Sequence, residues 1–165
     1  MKVFLGFDPG LSGGMTFINE NNQIVVCEPM PIFDTCKGKR EVDVNAIIKI
    51  IKRVQLDNEI VTAGIEDVHA MPKQGVTSVF TFGKGFGMLI GILSALNIPY
   101  TLIKPRQWQK QAFEGLSKAD TKQMGAIVCA RLWPGWDFKA SDRCRKVHDG
   151  MTDSALISLH IKKNN

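Results

Sequence analysis

The sequence has few cysteines, no recognisable leader and no phosphate-binding loop, and each absence argues against one class of protein or site. The four cysteines, Cys27, Cys36, Cys129 and Cys144, are far apart and form no CxxC pair. This spacing predicts reduced thiols in a cytoplasmic protein and argues against a structural zinc site. The start of the chain has one lysine and a short apolar run, which is not typical of a signal peptide. Lys84-Gly85 lacks the GxxxxGK[ST] pattern that cradles nucleotide phosphates.

Long apolar runs are also missing, and the charge balance is basic. The most apolar stretch, 88–96, is shorter than the roughly 20 residues that cross a bilayer, so no membrane partner is expected. The 165 residues, 44% of them hydrophobic, predict one domain over 1–165 with its own core. The 21 basic and 16 acidic residues give a net charge of +5. If several acids are committed to a metal, the remaining surface attracts a phosphate backbone.

The opening stretch places an acid at the end of an apolar strand. Residues 3–7 are apolar or small, Asp8 follows, and the turn 9–14 contains one proline and three glycines. Proline and glycine favour an open turn, where an acid faces a ligand or serves the turn itself. Residues 15–18 and 23–28 read as two further strands, so three antiparallel strands are expected within the first 28 residues.

A second apolar strand also ends in an acid. Apolar residues recur at helical spacing over 43–56 and predict an amphipathic helix, and the strand 59–66 after it ends at Glu66. Strands joined by a helical crossover are usually parallel neighbours, whose carboxyl ends form a ligand crevice. Asp67 is expected on the opposite face of its strand from Glu66.

The next predicted helix, from Thr77 or Ser78 to Leu96, has glycines on one face. Gly83, Gly87 and Gly91 are four residues apart, which indicates close approach of a backbone within the fold, in a dimer or from DNA. A strand over 100–103 and helices from Pro105 and over 120–132 follow. The last of these helices carries a predicted apolar stripe of Met124, Ile127, Val128 and Leu132.

The closing helix has two acids on one face. Asp149 and Asp153 are four residues apart, which puts their Cβ atoms about 5–6 Å from each other. They could hold a cation, or Asp149 could cap the helix while Asp153 is a solvated first-turn acid.

Together these segments resemble one family. FDPGLSGG, IEDVHAMPKQGVTSVFTFG, IKPRQWQK, KADTK and HDGMTDSALI are similar, in the same order, to segments of the RuvC-type Holliday junction resolvases, especially the phage and chloroplast branch. The resemblance implies an α/β, ribonuclease H-like fold. Its central mixed five-stranded sheet would have three antiparallel strands, then two parallel ones, flanked by helices. A cytoplasmic setting with DNA, including a phage-infected bacterial cell, is expected.

The resemblance also implies a chemistry. Asp8, Glu66, Asp149 and Asp153 would be catalytic and would hold two Mg²⁺ ions, with Mn²⁺ as a substitute. Carboxylate oxygens suit such hard cations, and two ions can stabilise the attacking and leaving oxygens of a phosphodiester. His148 is a weaker ligand candidate than Asp149. The expected partners are branched DNA, above all a four-way junction, and a second copy of the chain in a homodimer.

Basic and aromatic residues near the expected site are candidate DNA contacts, although any of them could be an ordinary solvated or core residue. They are Lys37, Lys39, Arg40, Lys73, Phe80, Phe82, Lys84, Arg106, Lys110, Lys118 and Lys122. Three other functions stay open: a ribonuclease H-like enzyme cutting RNA–DNA hybrid or flap DNA, a DNA-binding module with a vestigial site, and, least favoured, an actin-like ATPase half.

Overall fold

A mixed five-stranded sheet forms the centre of the computed structural model, which describes residues 1–69, 74–116 and 121–165. Its strands are β1 (Lys2–Asp8), β2 (Gly14–Asn19), β3 (Ile24–Pro29), β6 (Glu59–Glu66) and β7 (Tyr100–Ile103), in the order β3-β2-β1-β6-β7. β1, β2 and β3 are antiparallel, whereas β1, β6 and β7 are parallel. This confirms the predicted sheet.

Helices cover both faces of the sheet. On one face lie α1 (Val44–Gln55) and α2 (Val76–Ala95), whose buried Ile47, Ile51 and Leu89 join the core of that side. On the other lie α3 (Pro105–Ala112), α4 (Thr121–Leu132) and α5 (Asp149–Lys163), packed around Trp108 and Leu156. The sheet therefore separates two apolar cores, and its strand ends lie between the two helical layers.

The closing helix lies unusually close to the central strand because small residues face each other. A Cβ on Gly6 of β1 would overlap the carbonyl oxygen of Ser154 and lie 2.5 Å from the amide nitrogen of Ser158. Ser158 Oγ donates to the carbonyl oxygen of Phe4 at 2.7 Å, and the hydroxyls of Thr16 and Ser154 are 2.8 Å apart. Buried hydroxyls are thus paired where helix and sheet meet.

Gly6→Ala should destabilise the fold strongly. The added methyl group meets backbone atoms of α5, which cannot move aside without shifting the helix, so we expect a loss of about 3 kcal/mol in the free energy of unfolding. Urea denaturation measures it. Gly135→Ala is the matched control, because none of the described residues lies within 4 Å of the new Cβ, and its effect should stay within about 0.5 kcal/mol. Equal effects of the two substitutions would contradict the close packing of α5 on β1.

The segment 29–42, for which the sequence predicted an exposed loop over 29–40 and no strand, contains two short strands. This segment forms a small hairpin of β4 (Ile32–Asp34) and β5 (Arg40–Val42), with its turn over 35–39. Strands of three residues carry too little alternation to be recognised in a sequence. Lys37 and Lys39 remain exposed at the hairpin tip, and Arg40 begins β5.

Two helical predictions also need correction. On α4 the buried residues are Met124, Gly125 and Cys129, whereas Ile127 and Leu132 are exposed, because small residues meet α5 there.

α2 has 20 residues and a mean hydropathy of 1.5, which is long and apolar enough to cross a membrane by length and composition alone. The same test is passed by single helices of soluble proteins, so it is weak evidence for a membrane span.

Candidate active site

Two acids meet at the carboxyl edge of the sheet. Phe7 pairs with Ile65 in the parallel ladder of β1 and β6, so Asp8 and Glu66 are the next residues on two adjacent strands. Neighbouring strands are about 4.8 Å apart. Side chains alternate along a strand, so Asp8 shares a face with Gly6 and Glu66 shares a face with Gly64, both of which contact α5. Both carboxylates therefore face the closing helix.

The glycine turn after Asp8 brings the start of α5 to the same edge. A Cβ on Gly14 would lie 2.5 Å from the carbonyl oxygen of Gly150, and one on Gly150 would lie 2.5 Å from the Cα of Gly13. These backbones touch because none of the three residues has a side chain. Asp149 and Asp153, which flank Gly150 on α5, are thereby carried to the edge that bears Asp8 and Glu66.

The electrostatics show that the four carboxylates form one cluster. Burial, followed by the charges of Glu66, Asp153 and Asp149, raises the pKa of Asp8 to about 8. Burial, followed by Glu66 and Asp149, raises the pKa of Asp153 to about 7. Burial also raises the pKa of Glu66. Like charges raise one another's pKa only when they are close together, so the sequence-predicted acids converge.

The donor set fits a hard divalent cation. Four acids supply only oxygen ligands, and in the described part of the chain no lysine or arginine forms an ion pair with any of them. No three acidic, histidine or cysteine side chains of the described residues stand in ready-made ligating positions. A bound cation would lower the raised pKa values of Asp8, Glu66 and Asp153.

Trp108 is the site residue that the sequence analysis missed. It is buried on α3, and its indole Nε1 donates to Glu66 Oε1 at 2.8 Å. This hydrogen bond stabilises the charged form of Glu66 and lowers its pKa, against the effect of burial. The sequence analysis quoted Trp108 only within IKPRQWQK, where Arg106 and Lys110 were the named candidates. A contact across 42 residues leaves no local signal. Trp108 is a positioning residue for Glu66.

Trp108→Phe should therefore impair the site more than the fold. Phenylalanine keeps most of the packing but loses the donor, so we expect metal-dependent activity to fall about tenfold and its pH profile to move to higher pH. Stability should fall by about 1 kcal/mol. Trp133→Phe is the control, because it removes an indole bond to the Asn22 carbonyl oxygen at the far end of α4. A profile that stays at its wild-type position would show that Trp108 serves packing only.

His148 and Asp67 have other roles in the structure. His148 is the N-cap of α5, and its Nδ1 accepts from the Met151 amide at 3.3 Å. The alternative in which Asp149 caps the helix is therefore wrong. Asp153 is half-buried, so the alternative of a solvated acid is wrong as well. Asp67 Oδ2 lies 3.6 Å from His69 Nε2, beside the site but outside the cluster.

The basic candidates for DNA contact that the structure describes lie on three elements, the hairpin, α3 and α2. Lys37, Lys39 and Arg40 are exposed on the hairpin of β4 and β5, and Arg106 and Lys110 are exposed on α3. Lys84 forms a 2.5 Å ion pair with Glu41, so it is less available to DNA than predicted. Lys73 and Lys118 lie outside the described residues, as does the side chain of Lys122.

The aromatic candidates separate clearly. Phe80 is 73% exposed near the start of α2, whereas the ring of Phe82 packs against Gly10 in the turn after Asp8. A cleft of about 870 Å³ runs beside that turn, between the hairpin and α2. On α2, Gly83, Gly87 and Gly91 are exposed, and no described residue lies within 4 Å of a Cβ added to any of them. One predicted reason for this stripe, packing within the fold, therefore finds no support among the residues that the structure describes.

Comparison with known proteins identifies the fold. No family model and no curated protein matches the sequence. Among solved structures, Thermus thermophilus RuvC in complex with a Holliday junction substrate has a TM-score of 0.60 and 14% identity over 97% of this chain and 92% of that chain. The yeast mitochondrial Holliday junction resolvase Ydc2 has a TM-score of 0.58 and 15% identity over 97% and 77%.

The chain has the ribonuclease H-like fold, as predicted. Within that class, its structural neighbours are RuvC and other Holliday junction resolvases. At 14–15% identity this likeness establishes the fold, and the activity has to be argued from the carboxylate cluster.

Proposed function

We propose that this protein is a Holliday junction resolvase, an endonuclease that makes paired symmetric nicks in four-way DNA. The observation that carries the proposal is the convergence of Asp8, Glu66, Asp149 and Asp153 at one sheet edge. The likeness to a RuvC structure that contains Holliday junction substrate supports the choice of DNA. The chain has a net charge of +5 although the proposed site is itself acidic, so the rest of the chain is strongly positive. This balance favours a polyanionic partner.

The proposed reaction is hydrolysis of a phosphodiester, leaving 5′-phosphate and 3′-hydroxyl ends. Two Mg²⁺ ions, with Mn²⁺ as a substitute, would activate water and neutralise charge on the leaving oxygen. Asp8, Glu66, Asp149 and Asp153 would hold the ions, and Trp108 would orient Glu66. Three of the six residues in the turn after Asp8 are glycines, so few side chains would stand between this edge and a DNA backbone.

A homodimer would match the twofold symmetry of the junction. The exposed glycine face of α2 supports this proposal, since such a face allows close approach of a second helix. Much of the rest of α2 is apolar, and only 22% of its most apolar 18-residue stretch is buried. Sedimentation of the free protein and of its junction complex measures the stoichiometry, and two chains per junction are expected.

A cleavage panel tests the substrate class. Four-way junction, flap DNA, RNA–DNA hybrid and linear duplex of the same sequence are each incubated with Mg²⁺. We expect cleavage of the junction and little of the duplex. Preferential cutting of the hybrid would favour the ribonuclease H-like alternative, and binding without cutting would favour a binding module.

A further inference from the structure

A second basic surface lies beside the carboxylate cluster, on the loop 139–147, which we call the basic loop. Its base is fixed, because Phe138 is buried in the core on the α5 side and the His148 amide donates to the Phe138 carbonyl oxygen at 2.8 Å. The two ends of the basic loop therefore meet at His148, the residue that caps α5. Compact loops with closed ends are frequently functional.

The charge of the basic loop is largely unpaired. It contains Lys139, Arg143, Arg145 and Lys146 but only one acid, Asp142. Lys139 is paired with Asp137 at 3.0 Å. Arg143, Arg145 and Lys146 are exposed, and within the described ranges none of them forms an ion pair. These three cationic side chains therefore all face solvent.

Their position relates these cations to the proposed reaction. Lys146 is three residues from Asp149 and Arg143 is six, so even a fully extended chain would hold them within about 11 and 21 Å. The basic hairpin tip is attached to the opposite core through Val42, whereas the basic loop is attached to the α5 side through Phe138. The two basic segments are thus anchored on opposite sides of the sheet.

We propose that the basic loop binds the phosphate backbone of the DNA strand next to the cleaved bond, through Arg143, Arg145 and Lys146. An acidic cluster repels phosphates, and cations beside it offset this repulsion and hold the strand in register. This inference rests on the proposed function. It adds a second backbone contact, on the α5 side, to the contact predicted from the sequence for Lys37, Lys39 and Arg40.

The salt dependence of junction binding tests the proposal. Binding is measured by fluorescence anisotropy, in an Asp8→Asn background that prevents cleavage. Arg143→Ala/Arg145→Ala should lower the slope of log affinity against log salt by about 2, since each phosphate contact contributes about one unit. Arg143→Lys/Arg145→Lys should keep the slope. The control, Lys52→Ala/Lys163→Ala, removes two exposed charges from the last turns of α1 and α5 and should also keep it.

Failure of the two proposals is distinguishable. A protein that neither binds nor cuts junctions refutes the proposed function. Tight, Asp8-dependent junction cleavage with an unchanged slope in Arg143→Ala/Arg145→Ala refutes only the basic-loop contact.

Cys144 gives a second readout that does not depend on substitution of the arginines. Among the described residues the exposed cysteines are Cys36 and Cys144, so a Cys36→Ser protein has one accessible thiol, between the two arginines. Saturating junction should slow maleimide modification of Cys144 by several-fold. Modification at the same rate, with junction occupancy verified by anisotropy, would overturn the proposal.

Discussion

Asp8→Asn should abolish junction cleavage, by about a thousandfold or more, while junction binding is kept. Asp8 is the most strongly coupled acid of the cluster, since all three other carboxylates raise its pKa. Asparagine keeps its size but loses the charge that a divalent cation requires, and such cations contribute several kcal/mol to hydrolysis. Cleavage of a labelled junction and its binding measured in parallel test both halves of this expectation.

Asp67→Asn is the matched control for this substitution. It also removes one carboxylate close to the end of β6, but Asp67 lies outside the cluster and contacts His69. We expect cleavage near the wild-type rate. If Asp8→Asn still cuts the junction at a comparable rate, or if Asp67→Asn is the inactive variant, the assignment of the site to the four converging acids is wrong.

Stability without metal should fall as pH rises, and Mg²⁺ should counteract the fall. The pKa of Asp8 is about 8 in the folded chain but near 3.8 in the unfolded chain, so between these values the folded state binds the extra proton. Stability therefore declines from about pH 4 to pH 8, and Asp153, with a pKa of about 7, acts in the same direction. Mg²⁺ binds the ionised carboxylates and must displace these protons at low pH.

Thermal unfolding with EDTA or with Mg²⁺, between pH 5 and 9, measures this linkage. The rise in Tm caused by Mg²⁺ should be small at pH 5.5 and several degrees at pH 8.5. The apparent affinity of the protein for Mg²⁺ should rise by up to about tenfold per pH unit for each displaced proton. Asp8→Asn should flatten the decline without metal. A Tm shift that is equal at both pH values would contradict a site built from protonated, coupled acids.

The parts of this structure that follow local periodicity could be predicted from the sequence. Asp8 and Glu66 end apolar strands, and Asp149 and Asp153 share a helical face, so each acid was placed on the correct element. Their convergence follows from a parallel crossover and from glycines that let α5 touch the turn after β1. These are strong and redundant signals.

Features decided by packing between distant segments could not be predicted. The bond from Trp108 to Glu66 and the ion pair of Lys84 with Glu41 join residues 42 and 43 positions apart. Half of the predicted buried face of α4 is right, since Met124 is buried and Val128 packs against the core. The other half is wrong because the small residues Gly125 and Cys129 meet α5, whereas Ile127 and Leu132 are exposed. Nothing in the periodicity of a single helix shows which neighbour will cover it.

The most direct test of the central claim is to map both cuts on a synthetic four-way junction in the presence of Mg²⁺. Each strand is labelled in turn, and the nicked products are then treated with DNA ligase. We predict two nicks at symmetric positions on opposing strands, which ligase seals without further processing, as expected for 5′-phosphate and 3′-hydroxyl ends. A single asymmetric nick, ends that cannot be ligated, or cutting that persists in Asp8→Asn would contradict the account.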